Sequence, residues 1–419
     1  MDSTLGRAAD GEADAGGASR GRHAAGALVR PALLLGLLAG LLSACADDAL
    51  PPLARGDGRS AAADAGPRVA DGRASDVRVG AVDRGVDAHV TVTDAWPCLQ
   101  TADLAGWVLA DDYCVVAQTT QRAAAAWGFA REALWSFGPR NDQLGSLPLR
   151  RWAWRAGVEP SALEEVAVVA PGVDATALVF PGSYLALAGT GAALVGYTLA
   201  DGDGSVVMMG PNTKLAVQVN APGNFDAAWL DDETLLVNGM GLEGSEAKQA
   251  LYAKRGTNSA ARLVKDLGAA SSYVAVGRSV VYVGGAFGAF PSLVNRVFAF
   301  DRDRLSEALS DRRELDGDDE GVEVYQGDLG DLTTVGDELV WLDSYYDEKR
   351  AAMAARGVFR RGVQRLADRL APVGTPSAVL TPGTSTVAQP VGLAGDGVRL
   401  LVVLDRGAAG HALLLLRPR

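Results

Sequence analysis

One phrase recurs along this chain: a short β-rich run, a turn built on Gly or Asp, and a second, more strongly apolar run. It reads GWVLADDYCVVAQ, ALVFPGSYLALAG, AAWLDDETLLVNG, YVAVGRSVVYVGG, TTVGDELVWLD and VGLAGDGVRLLVVLD, with turns at Asp111-Asp112, Gly182-Ser183, Asp231-Asp232, Gly277-Arg278, Gly336-Asp337 and Gly395-Asp396. Gly and Asp tolerate the dihedrals of a tight reversal, so the pattern predicts six hairpins. A third apolar run follows most of them, as in ALVGYTLA, QALYAKRG, NRVFAFDRD and HALLLLRPR, which supplies strands for one four-stranded sheet per unit.

Units of this length and β character predict an all-β chain arranged as a β-propeller, in which each sheet buries both faces against its neighbours. The second run of each hairpin lacks strict alternation, as expected of a strand buried on both sides. Six blades are expected, or seven if the roughly 60 residues between Gln118 and Leu178 hold a further unit; a β-sandwich is the competing architecture. The last unit ends after three strands, and the alternating segment Ala88 to Thr93 precedes the first. That N-terminal strand is expected to complete the last blade and cover an otherwise open β-edge. The likeness to propellers is architectural, since the units carry neither a tryptophan-docking nor a WD dipeptide pattern. Two insertions, Asp301 to Arg313 and Asp347 to Leu370, read as surface helices.

The 26 aromatic residues all fall from Trp96 onward, so the core must lie there. Residues 45–86 are dominated by Ala, Gly, Asp, Arg and Pro, a mixture too poor in apolar surface to offset chain entropy, and are expected to form a disordered tether. Ahead of them, Arg20, Arg22 and Arg30 precede the twelve-residue apolar run Pro31 to Leu42 and then Leu42-Ser43-Ala44-Cys45. A permanent transmembrane helix needs about 20 apolar residues, so this run suits a cleavable signal segment. The LSAC tetrapeptide resembles the lipobox of bacterial lipoproteins. The resemblance implies a signal peptide over 1–44, cleavage before Cys45, lipid on Cys45 and attachment to the cell envelope; Ala46 resembles the default for the outer membrane. Residues 87–419 are then the propeller domain.

Once Cys45 carries lipid, Cys98 and Cys114 remain, and an oxidising compartment favours a disulfide between them, with two buried thiols as the alternative. Net charge of −12 argues against nucleic acid as a partner.

Few motifs suggest chemistry. Gly239 to Gly244 spells GxGxxG, but its neighbours read as hairpins rather than a βαβ unit, and its glycines are expected to form a loop. Ser245-Glu246-Ala247-Lys248 matches SxxK without its companion motifs. Asp316 to Gly321 approaches a calcium loop, but the twelfth position is Gly327 rather than Glu; calcium stays open there and at Asp201 to Gly204. His89 and His411 would approach each other if the closing strand forms as expected, but lack an obvious third metal ligand. Trp127, Trp135, Trp152 and Trp154 serve either packing between blades or recognition of a sugar or protein.

No catalytic residue and no cofactor is assigned. The expected function is a monomeric, lipid-anchored, non-catalytic binding or assembly module, with an envelope protein or carbohydrate as partner. The alternative is a propeller hydrolase or lyase acting on a sugar or lactone, assisted by a divalent cation.

Overall fold

The computed structural model describes residues 96–419, apart from 125, 131–132, 138–146, 157–158, 169–177, 188–192, 200–203, 210–216, 220–225, 232, 244–245, 256–260, 266, 268–269, 288–293 and 368. The expected signal peptide, Cys45, the tether, the Ala88 to Thr93 strand and its His89 lie outside the described residues.

The described strands form six sheets. Sheet I runs outward through Ala126–Ala130, Ala133–Phe137, Leu147–Ala153 and Ser161–Val168. Sheet II takes Leu178–Leu187, Ala193–Leu199, Gly204–Met209 and Val217–Val219. Sheet III takes Asp226–Trp229, Thr234–Glu243, Glu246–Arg255 and Ala261–Lys265, with Leu315–Asp316 added in parallel at its rim. Sheet IV takes Ala270–Val276, Val280–Phe287, Val294–Asp301 and Val322–Gln326. Sheet V takes Asp331–Val335, Glu338–Asp347, Ala352–Leu366 and Arg369–Pro382, and sheet VI takes Gln389–Gly395, Leu400–Asp405 and His411–Pro418. The first strand of each sheet contacts the first strand of the next, and that of sheet VI returns to that of sheet I. The chain is therefore an all-β propeller.

Burial follows from this arrangement. Leu400, Val402, Leu404, Leu414 and Leu416 pack into the core between sheets V and VI, while Leu401, Val403, Leu413 and Leu415 pack toward sheet I. Successive side chains of a strand point to opposite faces, and here both faces are covered, so the apolar runs have no polar alternation. Another core fills the space between sheets III and IV, and one more the space between IV and V. Where the inner strands crowd, side chains disappear: a Cβ on Gly395 would overlap the Thr334 carbonyl oxygen of sheet V.

Ring closure follows the anticipated logic with a different segment. Tyr113–Gln121 pairs antiparallel with His411–Pro418 and completes sheet VI. The stretch GWVLADDYCVVAQ is consequently no hairpin: Trp107–Leu109 joins the outer edge of sheet V against Leu380 to Pro382, and the Asp111-Asp112 turn carries the chain from one sheet to the next. The interval between Gln118 and Leu178 does contain a four-stranded unit, sheet I. The second expected hairpin is also absent, because Leu178–Leu187 is one strand with an irregular register between Phe180 and Tyr184, and its partner is Ala193–Leu199. The other four hairpins form as read.

Of the two expected helices, Arg302–Ser310 forms, capped by the Asp301 carboxylate on the Asp303 and Arg304 amides. The other, Asp347 to Leu370, is instead the turn and long hairpin of sheet V, with strands of 15 and 14 residues. Its distal arm leans over the outer strand of sheet IV. Leu370 enters the core between sheets IV and V, Arg361 Nη1 donates to the Val324 carbonyl at 2.8 Å, and Arg365 pairs with Asp301 and Asp303. The arm thus covers an edge that would otherwise be open. No helix among the described residues is long and apolar enough to cross a membrane.

Candidate functional site

The ends of the sheets where the inner strands begin hold a connected belt of polar groups. Asp226 opens the inner strand of sheet III; its Oδ1 accepts its neighbour's Ala227 amide at 2.9 Å and its Oδ2 accepts the Val274 amide of sheet IV at 2.8 Å. Asp331 opens that of sheet V and repeats the device, accepting the Leu332 amide at 2.9 Å and the Leu393 amide of sheet VI at 2.9 Å. Asn238 Nδ2 donates to the Tyr273 carbonyl at 3.1 Å, and Tyr273 Oη donates to the Gly330 carbonyl at 2.8 Å. Gln389 Oε1, on the first residue of the inner strand of sheet VI, accepts the Ala355 amide at 3.1 Å. These side chains tie sheets III to VI through backbone donors and acceptors.

Beside this belt, sheet V raises the turn between its second and third strands. Arg356 bridges Asp328 at 2.6 Å and Asp343 at 2.8 Å, and its guanidinium lies 4.4 Å from the centroid of the Tyr345 ring. The hydrogen bond to Asp328, followed by that to Asp343, holds the guanidinium above its ordinary pKa, against the opposing effect of burial. Tyr325 lies nearby and donates to the Asp328 carbonyl at 2.9 Å; burial pushes its hydroxyl up to about 12. Tyr346, near the end of the strand that leads into this turn, is 51% exposed. The arrangement presents a guanidinium held between two carboxylates and stacked on an aromatic ring, with a second aromatic ring open to solvent. Such a surface suits recognition through planar hydrogen bonding and aromatic contact.

The residues singled out by sequence are dispersed. Cys98 and Cys114 form the expected disulfide, at the junction of the closing strand. Gly239 and Gly241 stand inside the strand Thr234–Glu243, opposite Ala250 and Lys248, rather than in a loop, so the GxGxxG stretch opens no helix. Ser245 and Asp201 to Asp203 lie outside the described residues; Gly204 begins a strand, and Glu246 to Lys248 begin another. The Asp316 to Gly321 stretch is a two-residue strand end and one helical turn: Asp316 caps that turn at the Asp318 amide, and Glu320 pairs with Arg304 at 2.7 Å. Among the described residues, no group of three or more His, Cys, Asp and Glu side chains converges as a metal site.

His411 is buried, and its Nδ1 accepts the Trp127 indole N–H at 2.9 Å. Burial lowers its pKa, partly offset by Asp405. Trp127, Trp135, Trp152 and Trp154 all belong to sheet I or its edge. Trp127 stacks on Trp152, Trp154 is fully buried against Trp96 and Phe129, and Arg151 covers Trp135. Trp127 and Trp154 serve packing, and Trp135 and Trp152 are half-buried. Sequence reading passed over Asp226, Asp331 and Arg356; the available signal was an Asp at the same offset before two hairpin turns, in DAAWL and DLTTV.

No family model matches this chain, and no curated protein does. Among solved structures, it is similar to the β-propeller domain of the Trilobed protease from Pyrococcus furiosus, at 8% identity and a TM-score of 0.40, covering 70% of this chain and 94% of that one. It is similar also to the PQQ domain of pyranose dehydrogenase from Coprinopsis cinerea, at 11% and 0.40, covering 77% and 98%. A puromycin hydrolase matches at 13% and 0.37, covering 68% of this chain and 50% of its own. These likenesses concern the fold and bring no activity to this chain.

Proposed function

We propose that this protein is a lipid-anchored propeller of the cell envelope, held through Cys45, that binds an envelope protein or glycan without transforming it. The observation that carries the reading is the use made of the carboxylates around the inner strands. Asp226 and Asp331 each spend one oxygen on the following amide and the other on an amide of the next sheet. Carboxylates committed in this way fix the ring rather than offer a free acid or base. The surface beside them, with Arg356 on Tyr345 and Tyr346 exposed, has the Arg and Tyr composition that concentrates binding energy in interfaces.

The test is site-specific photo-crosslinking in cells producing the full chain. A photoreactive residue at position 346 is expected to give a discrete adduct that Arg356→Ala removes. The same probe at Val398, exposed on a turn at the other end of the sheets, should give none. Equal adducts at both positions, or none at either, would overturn the reading. Mass spectrometry of the membrane fraction tests the anchor: the expected chain begins at an acylated Cys45, and Cys45→Ala abolishes both acylation and membrane retention.

A further inference from the structure

The closing strand of sheet VI and the outermost strand of sheet V belong to one covalent loop. Cys98 is joined to Cys114, and between them lies Trp107–Leu109, paired to the edge of sheet V. Cys114 is the second residue of Tyr113–Gln121, which completes sheet VI. The Leu99 amide donates to the Val115 carbonyl at 2.8 Å, so the segment carrying Cys98 lies along the outer edge of the closing strand. Trp107 and Tyr113 enter the core between sheets V and VI, and Trp107 Nε1 donates to the Ala388 carbonyl at 2.9 Å. Cys114, with half-buried Cys98 and fully packed Trp96, faces the core between sheets VI and I. The bond lies wholly within the segment that closes the ring, and the loop it makes, over a sequence separation of 16, limits the freedom of that segment when it is undocked.

We propose that this disulfide is a redox-operated latch on ring closure: oxidised, it restricts the undocked freedom of residues 96–121 and so favours their docking across the seam, and reduced, it lets that segment leave while the remaining sheets stay folded. The seam is the part of the ring with the greatest entropic cost, because Tyr113 pairs with Pro418 at the far end of the chain, whereas sheet IV is built from strands that follow one another locally. Proteins open in cooperative units of differing stability, and a segment joined across such a span is a natural low-stability unit.

The latch closes by thiol–disulfide exchange. One cysteine thiolate attacks an incoming disulfide, breaking its S–S bond, and the second cysteine then displaces the mixed disulfide. The Cys98–Cys114 bond forms as two electrons and two protons pass to the oxidant, which leaves as two thiols. A dithiol reverses the reaction, with half-buried Cys98 as the point of attack.

The test uses the folded, oxidised full chain, treated with dithiothreitol and followed by hydrogen exchange read by mass spectrometry, with alkylation to verify reduction. Exchange in 107–121, 379–382 and 411–418 is expected to rise on the order of a hundredfold, the factor by which a loop of this size constrains an open state. Peptides from 226–243 and 280–301 should keep their protection. Unchanged exchange at the seam after verified reduction, a uniform rise over all six sheets, or a bond that dithiol cannot reduce in the folded protein would each overturn the latch. A Cys98→Ser, Cys114→Ser double variant that folds should show the reduced pattern under oxidising conditions; the oxidised pattern in that variant would also refute it.

Discussion

Trp96→Ala tests whether the segment leading into the ring is part of its core. Trp96 is 2% exposed and sits at the seam between sheets VI and I, its ring edge-on to Phe129 at 6.0 Å and to Trp154 at 6.3 Å. The Arg399 guanidinium lies 5.1 Å from its centroid. Truncating a buried Trp to Ala costs about 3–5 kcal/mol, a figure that already includes the lost edge contacts. Arg399 keeps its ion pair with Asp396 at 2.8 Å and its contact with Phe129, so no orphaned charge is added. The expected loss is about 4 kcal/mol, a large part of the roughly 5–15 kcal/mol that stabilises a domain. For about 330 residues the unfolding entropy makes that a fall of about 6 °C in Tm. Calorimetry and urea unfolding of the oxidised protein measure it, and Trp96→Phe should recover part of the loss. A Trp96→Ala protein melting within about 1 °C of the parent would refute the placement of residue 96 in the core.

Asp331→Ala should cost about 2 kcal/mol by leaving the Leu393 amide without its charged acceptor, and Asp226→Ala a similar amount at Val274, both read from urea midpoints. Leu370→Ala should cost about 2–4 kcal/mol and raise aggregation, seen by light scattering, as the arm loosens from the edge of sheet IV. Stability should also depend on His411. Its folded pKa lies below the unfolded value of about 6.5, so above that pH both states are neutral there; as pH falls through 6.5 the unfolded chain takes a proton that the folded site resists, and stability declines until pH passes the folded pKa. His411→Leu should flatten that decline as pH falls below about 6.5 in a series of urea midpoints, even though it leaves Trp127 Nε1 unpartnered.

The propeller was legible because its strands are buried on both faces, which writes runs such as Leu400 to Leu404 into the sequence. Four hairpins were legible because turn residues there coincide with local strand pairing, as at Asp231, whose carboxylate accepts the Glu233 and Thr234 amides. The same chemistry misled at Asp111-Asp112, since a tight turn determines only that the chain reverses and not that the flanking strands pair with each other. The long hairpin of sheet V was read as a helix because alternating Ala-rich and Arg-rich stretches satisfy either period. Arg361 and Arg365 find their partners on sheet IV, 37 and 64 residues away, and no local pattern reports that. Asp226 and Asp331 escape a sequence reading for the same reason, as their acceptor role depends on the adjacent sheet.

Several aspartates of this chain serve its geometry. Asp231 and Asp396 close hairpin turns, Asp337 accepts the Ser279 amide and hydroxyl across two sheets, and Asp301 caps a helix. Asp103 is held below its ordinary pKa first by the Ala105 amide and then by Arg406, which it meets at 2.5 Å. Asp103, so held, resists protonation and makes a poor general acid. Mutations separate the structural role of these carboxylates from the binding role proposed for the Arg356 surface. Loss of Asp226 or Asp331 should be felt in stability, whereas loss of Tyr346 or replacement of Arg356 by Ala should be felt in partner capture. A variant set in which loss of Asp226 or Asp331 abolished capture at unchanged stability would reverse that division and return the belt to candidacy as the binding site.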